Sequence, residues 1–196
     1  RKELAKNYLT KHPTGKYATL VKFKVGHIAY EEANYEEAEK WLKPLTLVKG
    51  NDDIKRKSED LVLDMLNIKK DYAGIKNFSR QVASASGDDD KRKTSMNKIM
   101  EEAHFTEIQE FAKTANKDQA SEKLLAFAKE HENSSLAQDA LWQALSMMYA
   151  EGKVYEAAEL SLKFVKKYPT DKRNLDVLKE AAKAYADVGH IGKSAE

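Results

Sequence analysis

The chain has 196 residues, a formal net charge of +2, 34% charged and 9% aromatic side chains, and no cysteine. The small net charge gives no general attraction to nucleic acid, and the lack of cysteine removes disulfides, thiol catalysis and Cys-ligated zinc. No run approaches the roughly 18 consecutive apolar residues that suggest a membrane span; the length suits one or two domains, or one array of small units.

Residues 1–13 read as one helix closed by His12-Pro13, the second half of a unit whose first half is missing. The chain is therefore expected to be a piece of a longer array. A first full unit, 17–50, pairs helices over 17–32 and 35–47. Val25, Gly26 and Ala29 face the partner helix, Gly26 allowing close backbone approach. Gly50-Asn51-Asp52-Asp53 breaks the chain, and either Asp suits the cap of the next helix. The second unit, 53–87, pairs 54–70 with 72–85, with core candidates Val62, Leu63, Leu66, Ile75, Phe78 and Val82.

Asp88, Asp89 and Asp90 suit the positive N-terminal end of a helix. A long helix over 91–114 follows, with Met96, Ile99, Met100, Ala103, Ile108 and Phe111 at helical spacing. It opens the third unit, 91–132, whose second helix covers 117–131. The fourth unit, 136–169, is the clearest. Leu141, Ala144, Leu145 and Met148 form one stripe, and Ala157, Leu160 and Phe164 start another. Gly152 supplies the positive φ that ends the first helix, and Pro169 stops the second. A truncated fifth unit occupies 174–196.

Ala38, Ile75, Ala120, Ala157 and Ser194 take equivalent places, at spacings of 37, 45, 37 and 37. The eight extra residues fall in or after 84–93. A sustained period within about 20–50 residues marks a repeat array. Gly26…Tyr35-Glu36-Glu37-Ala38 and Gly152…Tyr155-Glu156-Ala157…Tyr168-Pro169 resemble the tetratricopeptide repeat. That resemblance implies an all-α fold, a right-handed superhelical array of antiparallel helix hairpins (an α-solenoid) spanning 1–196. The period and the Lys-Lys-Tyr-Pro-Thr-Asp linker are similar to a bacterial branch common in envelope lipoproteins and scaffolds. Cell-envelope or periplasmic placement is what this likeness implies, with a cytoplasmic one also open. The aromatic that often anchors the first helix of a repeat is absent at Lys22; Phe23 and Trp142 stand one place later. Another helical-hairpin solenoid is the alternative.

His12, His27, His104, His131 and His190 include no pair at i, i+4, so no metal site is expected. The adjacent carboxylates at 31–32, 36–37, 52–53 and 101–102 point about 100° apart on a helix and cannot face each other across a cleft. Gly189-His190-Ile191-Gly192 reads as a repeat turn, and no Ser or Thr has an activating context. The expectation is a non-enzyme without cofactor. Its ligand is a protein or peptide lying along the concave face lined by first helices.

On those helices Phe23, His27 and Tyr30, then Asp60 and Asp64, Phe105 and Gln109, and Trp142, Ser146 and Tyr149 share one face at 3- to 4-residue spacing. Trp142 is the best ligand anchor. The same positions hold no Lys/Asn/Arg clamp, so binding of a chaperone-type acidic tail is not expected. Asp88–Lys93 reads as a helix cap or a docking loop. Residues 1–50 carry 10 basic against 6 acidic side chains and 101–150 carry 4 against 9, an asymmetry that can orient a partner. Cut ends at Tyr8 and Leu9, and at Leu178, Ala182 and Tyr185, are expected to expose apolar faces and favour self-association. A structural spacer, or the regulatory arm of a larger enzyme, are the competing functions.

Overall fold

Each segment with sustained three- and four-residue apolar spacing is a helix. The computed structural model describes residues 1–48, 52–114, 117–187 and 189, with Asp52 described by its backbone only. Among the described residues are ten α-helices, one 3₁₀ segment and no strand. The helices are α1 (Lys2–Lys11), α2 (Ala18–Glu31), α3 (Tyr35–Leu42), α4 (Asp52–Ile68), α5 (Tyr72–Ala85), α6 (Asp90–Thr114), α7 (Lys117–Glu130), α8 (Ser135–Ala150), α9 (Val154–Lys167) and α10 (Asn174–Asp187). None is long and apolar enough to cross a membrane. The chain divides into two compact units, 1–100 and 101–196, with α6 shared between them.

In the first unit α2 folds back on α3. Val25, Ala29, Ala38 and Leu42 are fully buried there. A Cβ on Gly26 would stand 2.7 Å from Leu42 Cγ, so the close approach expected of this glycine is real. The second helix, expected over 35–47, is α-helical only to Leu42 and continues as the 3₁₀ segment Lys43–Leu47. Pro44 is the cause: it offers no N–H and its ring crowds the preceding turn. Val62, Met65, Phe78, Val82 and Met96 extend this core through α4, α5 and the start of α6. Leu63 and Leu66 pack only partly buried at its edge. Asp53, expected as a cap, lies inside α4, and Gly50 and Asn51 fall outside the described residues.

In the second unit Phe105, Ile108, Leu124 and Phe127 form one core with the alanines of α8. Leu145, Met148, Ala157, Phe164 and Val177 form the next.

The repeat has a backbone counterpart. Ala38, Ile75, Ala120 and Ala157 are each the fourth residue of their helix and each is buried. Five residues before three of them, Ala33, Lys70 and Gly152 have φ of 56°, 55° and 78°. Gly189, the same five residues before Ser194, has φ 80°. Around the first three the hydrogen bonds repeat: Asn34 N–H donates to Ala29 O, Asp71 to Leu66 O and Lys153 to Met148 O, at 2.9, 2.9 and 3.0 Å. This is the Schellman closure, which satisfies carbonyls that a helix end leaves open. Asn34 and Asp71 then cap the next helix by accepting from the N–H of Glu37 (3.3 Å) and Gly74 (2.8 Å). Ser194 and His190 lie outside the described residues.

The expected exposed ends need correcting. Leu9 packs on Ala18 and Val25. Tyr185 is fully buried against Ala158, Ala181 and Ala184, its hydroxyl donating to Glu159 at 2.7 Å. Each folds onto its own neighbour, which buries it. Leu178 is exposed as expected.

Candidate functional site

On the first unit's face, α2 presents Phe23, His27 and Tyr30 as a ladder of rings with centroids 5.8 and 6.5 Å apart. The ladder serves its own unit. Phe23 and Tyr30 pack against the core, and Tyr30 donates its hydroxyl to Asp64 on α4. That hydrogen bond, with burial adding to it, pushes the Tyr30 phenol up from its ordinary pKa. Asp60 is engaged too, accepting from Arg92 Nη2 at 3.2 Å. A broad hollow of about 1400 Å³ lies elsewhere, between α1 and α3, its lining including Leu9, Trp41 and Leu47.

Asp88–Lys93 behaves as a helix cap. Asp89 Oδ1 accepts from Arg92 N–H at 3.0 Å, and its other oxygen meets Arg56 at 2.8 Å. Arg92 reaches the buried Glu59 on α4.

The second unit is arranged differently. Phe105 is only 8% exposed and stacks on Phe127 at 5.4 Å, which makes it core and takes it out of the expected surface set. Its position on α6 turns toward α7 instead of solvent. Gln109, half-buried, donates to Gln143 at 3.4 Å. Trp142, by contrast, is 38% exposed. The Arg173 guanidinium lies 5.1 Å from its ring centroid, within cation–π reach.

Arg173 is fixed by Asp139 at 2.8 Å and by Asp171, which Gln138 also contacts. The Arg173 side chain holds the Asp171 carboxyl well below the usual carboxylate range, against the opposing effect of burial. Beside Trp142, Ser146 and Tyr149 line a cleft of about 110 Å³ with Ser161, Asp176 and Glu180. Burial pushes the Tyr149 phenol up, while its hydrogen bond with Ser161 Oγ at 3.1 Å opposes this. Small-molecule sites occupy roughly 300–1,000 Å³. This cleft has room for one inserted side-chain tip, and its rim is acidic.

Two histidines that sequence spacing kept apart meet in the second unit. His104 Nδ1 on α6 lies 3.4 Å from His131 Nε2 at the end of α7. They are 27 residues apart, so no short motif signals them. The α6–α7 packing, with Phe127 against both rings, brings them together.

No protein-family model matches the chain, and no curated protein matches it significantly.

Proposed function

We propose that this chain is a non-enzymatic protein–protein interaction scaffold of the tetratricopeptide type, a right-handed superhelical array of hairpins that binds a peptide or partner helix. The repeated left-handed caps at Ala33, Lys70, Gly152 and Gly189 support the repeat reading. The observation that carries the binding reading is the exposed Trp142, held under Arg173 beside a cleft sized for a side chain. A large aromatic with few rotors contributes contact area at little entropic cost, and Trp dominates binding hot spots. The acidic rim of Asp176 and Glu180 favours a partner segment carrying a basic side chain next to an apolar one. A bacterial envelope assembly or motility machine is the setting that the repeat likeness suggests.

The test is capture of partners from a lysate by the wild-type chain and by Trp142→Ala, with folding checked by circular dichroism. We expect Trp142→Ala to stay folded and to weaken binding of the captured partner by roughly 2 kcal/mol or more. Equal capture by both proteins rejects Trp142 as the anchor. A chain that captures nothing supports the spacer reading instead.

A further inference from the structure

We propose that His104, His131 and Glu130 form a binding site for a divalent transition-metal ion of the zinc class, tying α6 to the C-terminal end of α7. Their ligand atoms all lie within 4.8 Å of one another. Zn–N bonds are about 2.0–2.1 Å, and the edge of a tetrahedron is about 1.6 times the bond, so two imidazoles on one zinc stand about 3.3–3.4 Å apart. His104 Nδ1 and His131 Nε2 are 3.4 Å apart. That separation is long for a hydrogen bond and right for a shared ion.

Three further features converge on the same place. Glu101 Oε1 lies 3.7 Å from His131 Nδ1, the ring nitrogen away from His104. A carboxylate on that side is the usual orienting partner of a metal-bound histidine. Glu130 Oε1 lies 3.8 Å from Nε2 of the same ring, on the ligating side. His131 closes α7, its N–H donating to Phe127 O at 2.9 Å, so the site sits at the negative end of the helix dipole, which favours a cation.

The rings are set in place by packing. Phe127, itself fully buried, lies 5.3 Å from the His104 ring and 4.5 Å from that of His131. Glu130 is exposed, which leaves an approach for the ion. Three protein ligands leave a fourth position to solvent. Binding would stabilise the folded chain by mass action. The site is independent of the Trp142 cleft.

The experiment is titration of the full chain with CoCl2, followed by visible absorption, then displacement by ZnCl2. We expect tetrahedral-type ligand-field absorption saturating at one equivalent, quenched by zinc, and a higher Tm with zinc than with EDTA. His104→Gln should weaken binding at least tenfold, and the solvent-exposed Glu130→Gln should weaken it without affecting folding. Glu101→Gln should cost about tenfold through ring orientation. His12→Gln is the control and should change nothing. Absence of the cobalt spectrum, or unchanged affinity in His104→Gln, overturns the proposal. The histidines are then a packed pair only.

Discussion

Arg92 stands in the first turn of α6 and Arg173 just before α10, and each reaches back to an acidic residue more than thirty positions earlier. Arg92 meets Glu59, 33 residues earlier, and Arg173 meets Asp139, 34 residues earlier. Their partners differ in burial. Glu59 is 2% exposed, so Arg92 is spent on neutralising a carboxylate inside the first unit's packing. Asp139 is half-exposed, and Arg173 spends most of its donors on its own turn through Asp171, leaving its plane against Trp142. The aromatic faces follow the same division. Phe23 and Tyr30 pack, partly buried, against the first unit's core, whereas Trp142 stands at the second unit's surface. Phe23 and Trp142 each stand 15 residues before a buried alanine, Ala38 and Ala157, so the same spacing puts one ring against a core and the other at the surface. The turns differ as well, since the first unit puts Ala33 and Lys70 where the second has Gly152.

Removing Arg92 should have the largest effect. Arg92→Ala leaves Glu59 buried and unpaired, and loss of one member of such a pair costs about 3 kcal/mol or more. Urea unfolding measures this, and a loss below about 1 kcal/mol would show that water reaches Glu59. Arg173→Ala should cost less, about 1–2 kcal/mol, because Gln138 and a backbone N–H still satisfy Asp171. If Arg173→Ala proves the more damaging, the comparison is inverted.

The turns sharpen it further. Side chains with a Cβ are disfavoured in the left-handed region, so Ala33→Gly and Lys70→Gly should each stabilise the first unit by about 0.5 kcal/mol. Thermal unfolding reads the gain, and the reverse change, Gly152→Ala, should lower stability although a Cβ there meets nothing within 4 Å.

The smallest effect is acid sensitivity. Lys2, then Lys6, hold the Glu37 carboxyl down to about 2. Its folded pKa lies below the ordinary Glu value of about 4.3. Its contribution is therefore present above that value and is lost as pH falls toward 2. Glu37→Gln should flatten the fall in stability between about pH 4.5 and 2, relative to wild type. An unchanged pH profile of Tm would mean that solvent already screens these pairs.

Local pattern carried the elements. Apolar spacing located the helices because a buried face needs a residue every three or four positions, and Gly26 and Gly152 carry their roles in their own chemistry. The spacings of 37, 45 and 37 residues fell on Ala38, Ile75, Ala120 and Ala157, each buried at the fourth position of its helix. Proline at 44 announced its own consequence, although the expected helix ran past it. Which aromatic ends inside was decided by tertiary structure. Phe105 and Trp142 hold similar places on their helices, but Phe105 meets Phe127 from α7, while Trp142 meets a charged guanidinium that keeps it near water. The pairing of His104 with His131, and of Arg92 with Glu59, joins residues 27 and 33 positions apart. Such contacts depend on how two helices cross, and no local spacing encodes that crossing.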